Sequence, residues 1–328
     1  MISTRLVAAS IVLALHSLLG ADATAPGAPA GTIPPSPPTS ASPNAPPAPA
    51  DSSETPAAAI QERPLVAGRL ERWLADGDKD LIVQSFRRHP NEVLPFVDQY
   101  LERGLKLLEG NASDETAMNE FRKGVKFAQL ATDALRDPIF VEYAGSFASW
   151  NETERTRFRE GQKAARQGAL ALKKGDAATA LERYAASQSL AEPLGDSWGL
   201  QMALAGQARS AHAMSDWARA AAVAAKAMEI SGRLQLRNDE IETIVICAES
   251  RHQLAEPDAG LGYARLAWSK LRTDDSEQLR RRIAEVLVAA LEAKNFPQEA
   301  AKIRSDACLT EPSPKSPPAE KPAPAKAP

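Results

Sequence analysis

The sequence predicts an all-α domain between two proline-rich arms, and three observations support this fold class. First, 19 of the 25 prolines lie outside residues 65–308, twelve in 26–64 and seven in 312–328, and proline is the residue that helices tolerate least. Second, aromatic residues make up only 5% of the chain, so we expect a core built largely from Ala, Leu, Val and Ile, and Ala-rich segments fold readily as helices. Third, no segment alternates apolar and polar residues as a half-buried strand does.

Residues 1–23 have the pattern of a secretory signal peptide. Arg5 supplies a positive charge, Leu6 to Gly20 form an apolar run, and Ala21-Asp22-Ala23 fits a small-x-small cleavage site. The apolar run is shorter than the roughly 20 residues that a membrane-spanning helix needs. We therefore expect an exported protein that is periplasmic, attached to the cell envelope or secreted, with no integral membrane span after signal cleavage.

Residues 24–64 and 309–328 are rich in Pro, Ala and other small or polar residues and lack apolar periodicity. Such segments cannot bury enough apolar surface to offset the entropy of ordering, so both arms are predicted to be disordered. Lys315, Lys321 and Lys326 are spread along the second arm. The arms act either as plain solvated linkers or as spacers with weak affinity for the cell envelope, and composition leaves both interpretations open.

The sequence between the arms divides into helices at recognisable start and stop signals. Turns are indicated at Asp76-Gly77-Asp78, Glu109-Gly110-Asn111 and Gly175-Asp176. Asn91 and Asn151 are candidate N-caps, and Glu154 follows Asn151 at the spacing of a capping box. The predicted helices are 65–75, 79–88, 92–109, 114–136, 139–149, 152–174, 177–192, 197–214, 217–231, 239–254, 258–272, 276–293 and 298–307.

The second half of the chain repeats with a period of 40 residues. Small residues recur in four sets: Ala180, Ala220, Gly260 and Ala300; Ser187, Ala227, Ala267 and Ala307; Gly168, Ala208, Ala248 and Val288; Ala164, Leu204, Ile244 and Ala284. The turns recur in the same register, at Gly175-Asp176, Ser215-Asp216, Ala255-Glu256 and Asn295-Phe296. A fixed period of this size is typical of arrays of helical hairpins, in which small residues let neighbouring helices approach closely. The alternative is an irregular Ala-rich bundle with accidental periodicity.

The clearest unit, GQKAARQGALALKKGDAATALERYAASQSLAEP at 161–193, resembles the tetratricopeptide repeat family. It has the family's glycine in the first helix (Gly168), the Gly-Asp turn, a small residue opening the second helix (Ala180), an aromatic one turn later (Tyr184) and a terminal proline (Pro193). The units here are longer than the family's usual length of about 34 residues. The resemblance covers 151–308, whereas 65–150 is an N-terminal helical region that holds either divergent repeats, with 92–109 and 114–136 as the best hairpin, or an unrelated helical cap.

The resemblance implies a right-handed α-solenoid of antiparallel helical hairpins. It also implies close packing at a set of small or aromatic positions, namely Gly168, Ala180, Tyr184, Ala220, Ala227, Gly260, Ala267 and Ala300. Solenoids of this kind present an extended concave surface that is used for contact with other proteins. The expected function is therefore that of a scaffold binding a protein or peptide, and the alternative is a structural spacer or tether of the cell envelope that uses its proline-rich arms.

By the same resemblance, certain first-helix positions line the concave groove. They include Gln162 and Met202, and the candidate partner-binding residues are Arg209, His212, Glu242, Glu249, His252, Arg282 and Glu292. If residues 40 apart stack, Arg209 lies near Glu249 and His212 lies near His252. These side chains either grip a peptide through charge-assisted hydrogen bonds or form ion pairs between repeats beside solvated histidines.

No pattern in the sequence points to catalysis, a cofactor or a metal site. There is no Gly-x-Ser-x-Gly, phosphate-binding loop, dinucleotide fingerprint or His-Glu-x-x-His. The net charge of −3 gives no reason to expect nucleic-acid binding. Cys247 lies in an apolar helical run and is expected to be buried, and sequence alone leaves open whether it pairs with Cys308. We therefore expect a protein that is not an enzyme.

Overall fold

A computed structural model describes residues 65–110 and 113–308, and within these ranges the chain is helical with no β-strand. The α-helices, in chain order, are α1 (Ala67–Asp76), α2 (Lys79–Arg88), α3 (Pro90–Glu109), α4 (Asp114–Leu135), α5 (Ile139–Ser149), α6 (Glu152–Lys173), α7 (Ala177–Ala191), α8 (Ser197–Ala213), α9 (Trp217–Arg233), α10 (Arg237–Gln253), α11 (Pro257–Ser269), α12 (Glu277–Ala293) and α13 (Pro297–Asp306). A 3-10 turn, Glu192–Leu194, joins α7 to α8.

The predicted all-α class is confirmed for these ranges. Each predicted helix is present, and the observed ends differ from the predicted ones by at most three residues. None of the helices in the described part of the chain is both long and apolar enough to cross a membrane. The predicted signal peptide and both predicted arms lie outside the described residues.

Helix α6 begins with the capping box that the sequence predicts. Asn151 Oδ1 accepts a hydrogen bond from the Glu154 backbone N–H at 3.0 Å, and Glu154 Oε2 accepts one from the Asn151 N–H at 2.8 Å. The other predicted cap is wrong. Helix α3 begins at Pro90, a residue suited to a first helical position, so Asn91 lies inside the first turn and His89 occupies the cap position.

We expect Asn151→Ala to lower the free energy of unfolding by about 1 kcal/mol, because it removes the side-chain oxygen that accepts from the Glu154 N–H and leaves only the backbone half of the capping box. Asn151→Asp keeps an oxygen acceptor at the same place and should retain most of that stability. Urea denaturation followed by circular dichroism measures both. Equal stability of the two variants would contradict a capping role.

The helices recur with the 40-residue period of the sequence. Helices α7, α9, α11 and α13 begin at residues 177, 217, 257 and 297, and α8, α10 and α12 begin at 197, 237 and 277. From α6 onward each helix packs against the next, and α6 with α8, α8 with α10, and α10 with α12 also touch. The repeating unit is thus a pair of helices that contacts the pair after it.

The turn inside each pair has the same backbone conformation in all four units. Gly175, Ser215, Ala255 and Asn295 have positive φ angles of 83°, 61°, 58° and 60°. In each case the next residue donates its N–H to the carbonyl five residues back, over 2.9–3.0 Å, which closes the end of the helix. The left-handed conformation suits glycine best, so its persistence at the other three residues reflects the constraint of the surrounding helices.

Small residues bring three helices of the array close together around Tyr184 of α7. Its buried ring lies between two glycines: a Cβ at Gly168 of α6 would sit 2.9 Å from ring atom Cδ2, and a Cβ at Gly206 of α8 would sit 2.3 Å from Cε1. Only glycine fits at either position with the ring in place. One aromatic residue therefore holds three consecutive helices in contact.

The N-terminal helices have a core of a different kind, rich in aromatic rings. Phe96 packs against Phe86, Tyr100 and Phe127 with ring centroids 4.9–5.8 Å apart. The prediction of a core built largely from Ala, Leu, Val and Ile therefore holds for the array and also for residues 65–150, where most of the buried aromatic rings are added to it. Helices α3 and α4 pack closely, with Gly104 against Phe121, as expected for the proposed hairpin.

The aromatic core joins the N-terminal helices to the start of the array. The Trp150 indole N–H donates to the Leu194 carbonyl over 3.0 Å in a buried position. Arg233 of α9 forms a two-pronged ion pair with Asp137, at 2.9 and 3.0 Å. Residues 65–150 thus pack directly against α8 and α9, and this packing creates the cavity described next.

Candidate functional site

A cavity of about 540 Å³ lies where the N-terminal helices meet the array. Helices α3, α5, α6 and α7 and the beginning of α8 contribute to its lining. The apolar part of the lining includes Pro95, Tyr143, Phe158, Trp198 and Met202. The volume and the mixture of aromatic and charged groups are typical of cavities that bind ligands.

Helix periodicity places the charged residues of α3 on the cavity. Asp98, Glu102, Lys106 and Glu109 follow one another at spacings of three or four residues, and such residues share one face of a helix. Asp196 enters from a different element, because it is the N-cap of α8. Its Oδ1 accepts from the Gly199 N–H over 2.8 Å, which fixes the carboxylate beside the cavity.

The two aspartates of the cavity are acidic groups in an apolar setting. Asp98 Oδ1 accepts from the Tyr143 hydroxyl over 2.6 Å, and Asp196 is only 5% exposed. Burial, with a smaller contribution from nearby Glu102, raises the pKa of each carboxyl to about 7. Both groups therefore change charge near neutral pH.

Arg159 of α6 satisfies the other carboxylates of the cavity. It reaches Glu102 Oε1 and Oε2 through Nη1 at 2.9 and 3.0 Å, and Glu109 through Nε at 2.6 Å. Gln162 donates to Glu102 Oε1 over 3.0 Å. This network connects α3 to α6. Arg159 forms ion pairs with both Glu102 and Glu109.

The residues predicted to bind a partner form a separate row of ion pairs along the array. Arg209 pairs with Glu242 at 2.8 Å, and Glu249 lies 3.0 Å from His212 and 3.8 Å from Arg282. Glu292 pairs with Arg304. His252 is partly exposed. The pairs made by Arg209, His212 and Arg282 connect successive first helices of the array, whereas the pair of Glu292 with Arg304 joins the two helices of one unit.

The predicted register of these contacts is wrong. Arg209 meets Glu242 rather than Glu249, and His212 meets Glu249, so the partners are 33 and 37 residues apart instead of 40. A helical side chain leans toward the N-terminus of its own helix, and a long side chain spans more than one turn. Residues 40 apart lie at equivalent backbone positions in successive units, but their charged groups pair with residues at other positions.

The positions assigned to packing are all buried. The set is Gly168, Ala180, Tyr184, Ala220, Ala227, Gly260, Ala267 and Ala300. Cys247 is buried as expected, whereas Cys308 is exposed, and both are free thiols. The sequence did not lead to the cavity residues Asp98, Glu102 and Asp196. The spacing of charges along α3 was the available signal for the first two, and the N-cap position before α8 was the signal for Asp196.

Comparison with known proteins gives little further guidance. No protein-family model matches the chain, and no curated protein matches it. Among solved structures, BtubC (BKLC) from P. vanneervenii is similar with 18% sequence identity and a TM-score of 0.38, covering 77% of this chain and 96% of that one. Similarity at this level assigns no family to the chain.

Proposed function

We propose that this protein is an exported, non-enzymatic scaffold that binds a segment of another polypeptide in the cavity and along the array. The proposal takes the 40-residue units as divergent tetratricopeptide-like hairpins stacked in a right-handed solenoid. The common period of the helix starts and the common turn conformation support that interpretation. Binding of polypeptides is the usual role of such arrays.

One observation carries the proposal. Gln162 and Met202, which the resemblance assigns to equivalent groove positions of successive repeats, both line the cavity. Their neighbours include apolar rings such as Trp198 and polar groups such as Asp98, the combination that gives a peptide site both affinity and orientation.

The ion-paired row along the array has a different role in this proposal. Arg209 and Glu242 are each 17% exposed at the side chain and already satisfy one another. A partner would have to break these pairs before using them. We therefore assign the primary contact to the cavity and assign stabilisation of the stacked helices to the row.

Site-specific photo-crosslinking tests the location of the contact. Benzoylphenylalanine placed at Gln162 or Met202 should crosslink to a polypeptide when the protein is exposed to an extract of the cells that produce it. The same probe at the exposed Lys226 of α9 serves as the control. Equal yields at all three positions would contradict the proposal, and the envelope-tether alternative would then be favoured.

The double variant Arg209→Gln with His212→Gln tests whether the ion-paired row stabilises the stacked helices while the cavity makes the contact with the partner. We expect a loss of about 2 kcal/mol in unfolding free energy, because Glu242 loses Arg209 and Glu249 keeps only Arg282, at 3.8 Å, in a partly buried setting. The crosslinking yield at Met202 should stay unchanged, since neither residue lines the cavity. Loss of crosslinking in a folded double variant would move the contact to the ion-paired row.

A further inference from the structure

The proline-rich arm 24–64 joins the fold beside the cavity. The backbone N–H of Leu65, the first described residue, donates to Glu92 Oε2 on α3 over 2.7 Å. Pro95 lies three residues further along α3 and lines the cavity. Residues three apart share one face of a helix and are separated by about 4.5 Å along its axis. The arm is therefore attached to the fold close to the cavity.

The arm is long enough to reach every part of the cavity. From Pro95 to Glu109 the cavity follows about 21 Å of α3. The chain from residue 38 to Leu65 would span about 80 Å as a polyproline II helix, and its root-mean-square length as a flexible coil is about 30 Å. Both lengths exceed that of the cavity along α3. A segment tethered in this way has an effective concentration in the millimolar range.

Residues 33–38, Ile-Pro-Pro-Ser-Pro-Pro, are the part of the arm best suited to a binding groove. They contain two overlapping Pro-x-x-Pro patterns, which favour the polyproline II conformation that aromatic-lined grooves recognise. Because proline restricts the chain before binding, such a segment loses little conformational entropy when it docks. Ile33 is also one of two large apolar side chains in the arm, the other being Ile60.

The lining of the cavity suits a polyproline II segment. Trp198 and Met202 are one turn apart on α8 and are both partly exposed, so they share a helix face that lines the cavity. An indole next to a thioether gives proline rings and Ile33 an apolar surface to cover. A polyproline II helix has no internal hydrogen bonds, and Gln99 and Gln162 bring side-chain amides that can donate to its carbonyls.

The charged groups of the cavity favour an uncharged occupant. Arg159 forms ion pairs with Glu102 and Glu109, so a charged occupant would compete with pairs that already exist within the protein. Residues 24–50 contain no charged residue, whereas the second arm contains three lysines and two glutamates. The second arm also follows α13, the last helix of the array, whereas the cavity lies at the first helices of the array.

We propose that residues 33–38 of this chain dock in the cavity as a polyproline II segment, with the proline rings and Ile33 against Trp198 and Met202. The arm then occupies the site that a partner polypeptide uses, so a partner has to displace it. This regulatory role rests on the proposed function, whereas docking of the arm does not. The apparent affinity for the partner is lowered in proportion to the fraction of molecules in which the cavity is open.

Photo-crosslinking in the purified full-length protein tests the docking. Benzoylphenylalanine at Met202 should form an intramolecular crosslink, and mass spectrometry of the digested monomer should place its other end within residues 33–38. The same probe at the exposed Lys226 is the control and should not reach the arm. The inference would be overturned by the absence of a link to 33–38, or by a link that comes instead from 309–328 or from a second copy of the chain.

Replacement of prolines by alanine tests whether the polyproline conformation is required. The arm variant combines four substitutions: Pro34→Ala, Pro35→Ala, Pro37→Ala and Pro38→Ala. The matched control makes four in the second arm: Pro312→Ala, Pro314→Ala, Pro317→Ala and Pro318→Ala. We expect the crosslink yield from residue 202 to fall by at least about tenfold in the arm variant and to stay unchanged in the control, because alanine does not restrict the chain as proline does. An unchanged yield in the arm variant would overturn the inference.

The same proteins separate this inference from the proposed function when cell extract is added. The arm variant should link residue 202 to a partner polypeptide in higher yield than wild type, because its arm no longer competes. Equal partner yields would overturn the regulatory role. Arm crosslinks in the purified protein without partner crosslinks in extract would contradict the scaffold role and leave the docking standing. Partner crosslinks without arm crosslinks would overturn the docking and leave the scaffold role standing.

Discussion

Gly206→Ala is expected to lower the free energy of unfolding by about 3 kcal/mol, although alanine is the better helix former. The new Cβ would lie 2.3 Å from Cε1 of Tyr184, and all three of the nearest atoms belong to that ring. The ring is 3% exposed and is also held by Gly168 on its other side, so it has no free space to move into. The helices must separate, and contacts on both sides of α7 weaken.

Gly262→Ala is the matched control for this prediction. Gly262 lies within α11, and a Cβ there would meet no atom within 4 Å. The substitution should raise stability by up to about 1 kcal/mol through helix propensity alone. Urea denaturation followed by circular dichroism compares the two variants. If Gly206→Ala were as stable as Gly262→Ala, close packing on Tyr184 would not be what holds α6, α7 and α8 together.

The double variant Asp98→Asn with Asp196→Asn should be more stable than wild type at pH 8, by at least about 3 kcal/mol, and nearly equal to it at pH 3. The pKa of each aspartate is raised from 3.8 to about 7 by burial, so the folded protein holds protons that the unfolded chain releases. The stability of wild type that depends on these groups is therefore greatest below pH 4 and falls as the pH rises to 7. Asparagine does not ionise, so the stability of the double variant does not fall in this way as the pH rises.

Asp275→Asn provides a control of opposite sign. The bond from Arg237 lowers the pKa of Asp275, so its contribution is present above pH 4 and is lost as the pH falls below that value. This variant should be less stable than wild type at pH 8, with a difference that shrinks toward pH 3. Thermal unfolding across pH 3–8 measures all three proteins. A double variant that gains nothing at pH 8 would show that Asp98 and Asp196 are not buried carboxylates that titrate near neutrality.

The sequence indicates the roles of the residues in these two predictions to different degrees. Gly168 and Tyr184 belong to the repeat pattern, so their packing role could be anticipated from the sequence. Gly206 stands outside the four recurring sets, and its contact with the same ring becomes visible only when α8 is placed against α7. Asp98 and Asp196 carry no pattern at all beyond the spacing of charges along α3 and an N-cap before α8.

The helices and the 40-residue period were determined by the sequence itself. Caps, turns and recurring small residues act between positions close along the chain, and the observed helix ends follow them to within three residues. The Asn151 capping box and the four positive-φ turns are such local features.

The cavity and the pairing of charges were decided by tertiary structure alone. Asp98 meets Tyr143 across 45 residues of chain, and Arg159 meets Glu102 across 57, only because α3, α5 and α6 pack around a common core. The ion pairs of the array miss the 40-residue register because side-chain length and lean, rather than sequence period, set which charged ends meet. Local signals fix where a helix begins and ends, whereas contact between distant faces depends on the angle and depth at which the helices pack.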